Sequence, residues 1–207
     1  MKKALTTEFK TKLWQTIKAI EKTSQIEVVV IVRNRSADYH DVSLTWGIIS
    51  AFTSFAYIIF APEFYTDWAV FCLPIIAFSG GYAIAHIHPI IRFSVKKSRL
   101  LKNVEIMARA LFQKRGVQHT QAKIGLLIYC SWLEKTVYLL PDKGLEMALP
   151  QSEWQELRTE FQRIFNHRQP NIRLLEQLAK TQLIFNHYLP ASAKSMNELP
   201  DIMEIDL

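Results

Sequence analysis

Two long apolar runs in the middle of the chain constrain its fold more than any other feature. Residues 44–62 and 68–91 contain no Asp, Glu, Lys or Arg, and only the segment 63–67, Glu-Phe-Tyr-Thr-Asp, separates them. About 20 helical residues cross a bilayer core of about 30 Å, and each run is close to that length. We therefore predict a transmembrane helical hairpin; a buried hairpin inside a soluble protein is the alternative.

The apolar excess is confined to these two runs. The 207-residue chain has a mean hydropathy of only +0.04, so the rest is predicted to fold in water around its own core. No apolar stretch follows the basic start, Met1–Lys3, and we expect no cleavable signal peptide. The two cysteines, Cys72 and Cys130, both fall in apolar sequence and are predicted to be packing residues.

Basic residues flank the apolar runs, and the segment between the runs has none. Lys and Arg mark the cytoplasmic side of membrane spans, so we expect both termini in the cytoplasm and loop 63–67 outside. The net charge of +6 is explained by this flanking charge, and no nucleic-acid partner is expected. Residues that follow the second run are predicted to contact anionic lipid headgroups, with topology determination alone as the alternative: Arg92, Lys96, Lys97, Arg99 and Lys102.

The remaining sequence predicts a small α/β domain. Near-continuous apolar runs at 26–32, 124–130 and 136–140 indicate buried strands, and helical spacing of apolar residues indicates four helices, at 6–22, 100–116, 154–164 and 172–183. The first two strands are joined through a helix and should be parallel, whereas the short link 131–135 predicts an antiparallel hairpin of the second and third. Gly116 is the expected C′ residue of its helix, and Gly125 indicates close backbone approach.

These elements predict an α/β/α sandwich with a small mixed sheet, interrupted by the transmembrane hairpin. The domain would be formed by residues 1–43 and 92–190, with the hairpin at 44–91 and a polar, then acidic, tail at 191–207.

Several segments, in this order, resemble the TPM domain family. Residues 19–28 resemble its opening helix-to-strand motif, and 110–120 its second helix and the turn that follows. The remaining matches are the strand hairpin at 125–129 and 135–139, the Asp-x-Gly turn at 142–145, the tryptophan Trp154, and the ending at 197–201. The inserted hairpin is similar to that of a bacterial inner-membrane subgroup. The resemblance therefore implies an α/β sandwich in a multi-pass protein of the bacterial inner (plasma) membrane.

The resemblance also implies a range of activities: weak acid phosphatase activity, divalent cation binding, photosystem repair and modulation of membrane receptors. Glu21 and Asp142 are the acidic residues nearest the predicted strand ends, and their oxygens suit a hard cation such as Ca²⁺. Two carboxylates are few for the six to eight oxygens that Ca²⁺ takes. The alternatives are a surface charge at a helix end for Glu21 and a turn-forming role for Asp142.

The sequence contains no Gly-rich phosphate loop, zinc-spaced Cys/His set or nucleophile elbow. We therefore expect an interaction or maintenance module at the inner membrane surface, with the lipid bilayer and a membrane protein as partners and no enzymatic reaction. The alternative is a weak acid phosphatase that depends on a divalent metal.

Overall fold

A computed structural model describes residues 7–120, 122–191 and 203–206. The chain divides into two compact units. The first, Met1–Ser36 with Asn103–Leu207, is called the α/β unit; the second, Ala37–Lys102, is called the hairpin unit. The resemblance noted at residues 197–201 lies outside the described residues.

The α/β unit contains four strands and most of the helices in the part of the chain that is described. In chain order, the elements are α1 (Thr7–Thr23), β1 (Glu27–Arg33), α2 (His40–Phe60), α3 (Asp67–Ile84), α4 (His88–Ser94), α5 (Lys97–Lys114), β2 (Gly125–Ser131), β3 (Thr136–Pro141), α6 (Lys143–Ala148), α7 (Gln151–Gln162), α8 (Pro170–Tyr188) and β4 (Met203–Asp206). Of these, α2, α3 and α4 belong to the hairpin unit, and α5 starts there and continues into the α/β unit.

The four strands form one mixed sheet in the order β3-β2-β1-β4. β1 and β2 are parallel, with Glu27 opposite Gly125, and β2 and β3 form an antiparallel hairpin, with Ser131 opposite Thr136. Both predicted pairings are confirmed. The sequence analysis predicted three strands, whereas the structure adds a fourth, because residues 203–206 of the acidic tail pair in parallel with β1.

Helices cover both faces of this sheet, because nearly every residue of its central strands is apolar. On one face, alternate residues such as Val30 and Ile128 pack with side chains of α1, α7 and α8. On the other face, Ile31 and Leu127 pack against α5 through residues such as Val104. The α/β fold with a small mixed sheet is therefore confirmed.

Two glycines shape the connection from α5 to β2. Gly116 follows the helix in the left-handed conformation, with φ of 67°, which confirms the predicted C′ glycine. A Cβ atom at Gly125 would lie 2.6 Å from the backbone oxygen of Val117, so only glycine fits there without movement. The predicted close backbone approach is confirmed.

The hairpin unit consists mainly of α2 and α3. At 1.5 Å per residue, their 21 and 18 residues extend roughly 32 and 27 Å. The predicted second run, 68–91, does not form one helix: α3 ends at Ile84, and α4 begins at His88 with Pro89 in its first turn. Pro89 lacks the N–H that a continuing helix needs but suits the start of a new one.

The helices α2 and α3 pack closely at two glycines. A Cβ atom at Gly47 would lie 2.8 Å from the Phe78 ring, and one at Gly81 would lie 2.7 Å from the backbone oxygen of Trp46. Small residues of this kind let helix backbones approach each other in membrane proteins.

Large apolar side chains cover the outward surfaces of the same two helices. Phe52 is 70% exposed, Phe60 86% and Ile76 64%. By length and composition, α2 and α3 can each cross a membrane. A soluble protein rarely exposes a contiguous apolar surface of this kind without a use for it.

Candidate functional site

A buried polar cluster lies at the carboxyl ends of β1 and β2. We call it the strand-end cluster and define it as Ser36, Tyr129, Ser131 and Glu134, each no more than 5% exposed. Ser36 follows β1, Tyr129 and Ser131 share one face of β2, and Glu134 lies in the β2–β3 loop. In parallel sheets, ligand sites form at this end of the strands, so the cluster is a candidate ligand-binding or catalytic site.

Glu134 is the centre of the cluster. Its Oε1 accepts a hydrogen bond from the backbone N–H of Ser36 at 3.0 Å, and its Oε2 accepts one from the Ser131 hydroxyl. The hydroxyls of Ser36 and Tyr129 are 3.0 Å apart and hydrogen-bonded. Both carboxylate oxygens therefore have partners, as a buried carboxylate requires.

The loop that carries Glu134 is also fixed through its backbone. The N–H of Trp132 donates to the oxygen of Arg33 at 3.0 Å, and that of Leu133 donates to Asn34 at 2.8 Å. Main-chain and side-chain bonds thus secure the segment at which the chain leaves the α/β unit for the hairpin unit.

The groups of the strand-end cluster form hydrogen bonds that stabilise the fold. Burial, with a contribution from the Glu134 charge, raises the pKa of Tyr129, so its phenol stays protonated at neutral pH. Ser131 has a carboxylate beside its hydroxyl, but its side chain is fully buried and cannot meet a substrate. Neither group is placed as an accessible nucleophile.

Two arginines near the same end of the sheet share one carboxylate, and we call this group the two-arginine site. Arg33 ends β1, Arg115 follows α5, and Glu204 lies on β4. The Arg33 Nη2 is 3.4 Å from Glu204 Oε1, and Arg115 Nη2 bonds to Glu204 Oε2. Among the residues that the structure describes, the buried Nε of each arginine has no hydrogen-bond partner.

Of the two acidic residues that the sequence singled out, Glu21 supports the sheet. Its Oε1 accepts a hydrogen bond from the backbone N–H of Val28 at 3.1 Å. Val28 precedes the stretch of β1 that pairs with β4, which begins at Val30. The carboxylate therefore supplies an acceptor that a neighbouring strand would otherwise provide.

Asp142 caps the amino end of α6. Its Oδ1 accepts from the N–H of Lys143 at 2.8 Å, and its own N–H donates to the oxygen of Gly125 at 2.8 Å. The second oxygen, Oδ2, and the hydroxyl oxygen of Thr120 are buried and have no hydrogen-bond partner among the described residues.

The structure does not combine Glu21 and Asp142 into a Ca²⁺ site. They flank β1 and β3, which β2 separates, so the two strands lie roughly 10 Å apart. Within residues 7–120, 122–191 and 203–206, no three His, Cys, Asp or Glu side chains come together as a metal-binding group. The residues therefore do not fit a cation that needs six to eight oxygens.

The five basic residues predicted to contact lipid lie on α4, on the start of α5 and between them. All five side chains are exposed: Arg92, Lys96, Lys97, Arg99 and Lys102. Arg99 differs from the others because it pairs with Asp41 through two hydrogen bonds. The apolar side chains nearby include Phe93, which is 88% exposed.

The sequence analysis missed the strand-end cluster and the two-arginine site. The partners are far apart in sequence: Ser36 and Glu134 are separated by 98 positions, and Arg33 and Glu204 by 171. The only local signal is the spacing of Tyr129 and Ser131, which puts two polar groups on one face of an apolar strand.

Comparison with known proteins supports the fold. No protein-family model matches the chain, and no curated protein matches it. Among solved structures, it is similar to the NMR structure of the BA42 protein from the psychrophilic bacterium Bizionia argentinensis. The TM-score is 0.59 at 16% sequence identity, and the match covers 97% of this chain and 94% of that one. At this identity, the likeness concerns the fold alone.

Proposed function

We propose that this chain is a membrane-anchored module with a TPM-like α/β unit that binds a partner protein at the cytoplasmic surface of a bacterial inner membrane. One observation carries the proposal: α2 and α3 pack through Gly47 and Gly81 while their large apolar side chains face outward. That arrangement suits the lipid bilayer, where helices associate through close packing of small residues and their large apolar side chains face the lipid tails.

The charge distribution supports an orientation for the anchor. Basic side chains follow α3, and the loop between α2 and α3 has none. By the positive-inside rule, this charge pattern favours an orientation with the α/β unit in the cytoplasm. The exposed side chains of α4 and the start of α5 would then lie at the headgroups of the cytoplasmic leaflet.

The binding role is supported by what the α/β unit offers. Its described residues form a complete sheet with two apolar cores, but the hydroxyl nearest a buried carboxylate, that of Ser131, is inaccessible. The TPM family, which this chain resembles, includes members that maintain membrane complexes or modulate receptors. A folded domain fixed at a membrane surface suits that kind of work.

The anchor is tested by extraction and by topology. The full chain should stay in the membrane pellet after alkaline carbonate washing. Alkaline phosphatase, which is active only outside the cytoplasm, should be active when fused at Phe64 and inactive at either terminus; green fluorescent protein should give the opposite pattern. Release by carbonate, or an active cytoplasmic reporter at Phe64, would contradict the proposal.

The partner is tested by cross-linking in intact membranes. The chain should capture the same membrane protein in repeated preparations, with a similarly expressed hairpin protein as the control. Failure to capture a reproducible partner would count against an interaction module, even where the anchor is confirmed.

A weak acid phosphatase is the second candidate. It is favoured by the resemblance and by one observation: the buried Asp142 Oδ2 has no hydrogen-bond partner in the part of the chain that the structure describes. Phosphate release by the detergent-solubilised chain, with and without divalent cations, tests it. Asp142→Asn should abolish release if this carboxylate takes part, and equal release would exclude that role.

A further inference from the structure

The outer edge of β1 is completed by two different groups. Near its start, the N–H of Val28 bonds to the side chain of Glu21 at 3.1 Å. From Val30 to Arg33, the edge pairs instead with the four residues of β4. The Glu21 carboxylate therefore provides the acceptor at Val28, and β4 provides the partners from Val30 onwards.

Alternate residues of β1 direct their backbone groups to this edge. In a parallel sheet, the N–H and C=O of one residue point to the same side. Because Val28 bonds to Glu21 and not to β2, Val30 and Val32 present their groups to β4. Both residues are at most 1% exposed. With β4 in place these backbone groups are buried, and buried backbone groups need hydrogen-bond partners such as those of a strand.

The two-arginine site favours a negatively charged residue in the strand that pairs with this edge. Glu204 lies opposite Ile31 in the register, and its two oxygens bond to Arg33 and Arg115. Guanidinium groups suit carboxylates because they can donate several hydrogen bonds in a fixed geometry. Within the described part of the chain, the buried Nε atoms of both arginines have no hydrogen-bond partner, so Glu204 does not use all of their donors there.

β4 is a short strand on this edge. It contributes only four residues, in the alternating pattern Met-Glu-Ile-Asp. Main-chain pairing gives a strand its affinity for a sheet edge, and alternate side chains give specificity. Another segment with the same pattern can make the same bonds and, if longer, can pair further along β1.

We propose that the outer edge of β1 is a binding site for an extended acidic segment of a partner protein, which replaces β4. The residue that takes the place of Glu204 would be Asp or Glu, with apolar residues on either side. This inference deepens the proposed function, since it names the kind of segment that an interaction module would bind.

The test measures peptide binding to the full chain in detergent. The probe is a fluorescent peptide with the sequence of residues 201–207, Asp-Ile-Met-Glu-Ile-Asp-Leu, followed by fluorescence anisotropy. Glu204→Lys in the chain should raise peptide affinity at least tenfold, because the lysine repels both arginines and frees the edge. Adding Arg33→Gln and Arg115→Gln to that variant should lower affinity at least tenfold.

A charge exchange keeps the test informative if the double glutamine variant fails to fold. A peptide with Lys in place of its Glu should not bind the wild-type chain or the Glu204→Lys variant, and should gain affinity when Arg115→Glu is introduced. Arg109→Gln is the matched control, since this arginine lies on α5 and pairs with Glu105, and it should not change affinity.

Three results would overturn the inference: no affinity gain for Glu204→Lys, affinity that ignores the charge of the peptide, or dimers that exchange β4 and exclude the peptide. Because the assay contains no membrane, these results would leave the anchor untouched. Loss of the anchor in the extraction test would likewise leave the peptide result standing.

Discussion

Arg99 and Asp41 form a bidentate ion pair that joins the start of α5 to the start of α2. Arg99 Nη1 is 2.6 Å from Asp41 Oδ2, and Nη2 is 3.0 Å from Oδ1. The hydrogen bond to Asp41 raises the pKa of Arg99 above its ordinary value, so the guanidinium stays charged. Both side chains are about half exposed, and such pairs contribute only about 0.2–1 kcal/mol. The pair therefore sets geometry more than stability.

The pair predicts unequal lipid contacts among the basic residues. Replacing Lys96 and Lys97 with Gln should weaken the preference of the full chain for phosphatidylglycerol over phosphatidylcholine. Each basic residue near an anionic surface contributes about 1 kcal/mol, or roughly fivefold. Arg99→Gln should have a smaller effect, because Asp41 already offsets its charge. Native mass spectrometry of lipid adducts measures the preference, and an unchanged value in the double variant would exclude this lipid contact.

Neighbouring glycines of α3 offer a matched test of helix packing. A Cβ atom at Gly81 would lie 2.7 Å from the backbone oxygen of Trp46, whereas one at Gly80 meets nothing within 4 Å. Gly81→Ala should therefore destabilise the hairpin unit by about 1–3 kcal/mol, the usual cost of overpacking. Gly80→Ala should be neutral or slightly stabilising, since Ala favours helix. Unfolding of the full chain in mixed micelles, followed by tryptophan fluorescence, compares the two; equal stability would contradict the packing.

The sequence predicted those elements whose signal is local. Strands β1, β2 and β3 are near-continuous apolar runs, and Gly116 marks a helix end through its own backbone freedom. β4 was missed because four residues of alternating polarity give a weak signal. Its pairing also depends on Arg33 and Arg115, which are distant in sequence. The break after Ile84 was missed because an apolar run does not show where one helix stops and the next begins.

The candidate site was harder to predict than the fold, because most of its contacts join residues that are distant in sequence. Glu21 and Asp142 were correctly expected near strand ends, but each takes a local partner, the N–H of Val28 or of Lys143. Sequence alone does not show whether a carboxylate near a strand end is already satisfied. Glu134 bonds to Ser131 three residues away, but its other partner, Ser36, lies on the far side of the hairpin segment and could not be predicted from local sequence.

Cys130 is predicted to be inert in the folded chain. Burial raises the pKa of its thiol to about 12. Because the thiolate is the reactive form, roughly one molecule in 10⁴ is reactive at pH 8. In a Cys72→Ser background, a maleimide should therefore label the chain only after denaturation. Rapid labelling of the native chain at pH 8, measured by mass spectrometry, would contradict the burial of this strand.

The same pKa shift sets a pH dependence of stability. In the unfolded chain, Cys130 loses its proton near its ordinary pKa of about 9, whereas the folded chain retains it. Above pH 9, the folded state therefore binds more protons, and the free energy of unfolding should fall as pH rises. Cys130→Ala should reduce this fall relative to the parent, as measured by urea unfolding at pH 8 and pH 10. Identical slopes would show that the thiol does not contribute.

Glu134 is predicted to contribute strongly to the stability of the α/β unit. Glu134→Ala would leave the buried N–H of Ser36 and hydroxyl of Ser131 without their acceptor, at a cost of about 3 kcal/mol. Tyr129→Phe leaves both bonds of the Glu134 carboxylate in place, removes the hydroxyl that bonds to Ser36, and should cost about 1 kcal/mol. Urea unfolding of the detergent-solubilised chain, followed by circular dichroism, measures both.

Glu105→Gln is the control for that comparison, since Glu105 forms a largely exposed pair with Arg109 within α5. It should leave the unfolding midpoint unchanged, because an exposed pair within one helix adds little to stability. If Glu134→Ala shifted the midpoint no more than Glu105→Gln, the carboxylate would not be securing the end of β1. The hydrogen bonds from Trp132 and Leu133 to Arg33 and Asn34 would then have to hold that segment alone.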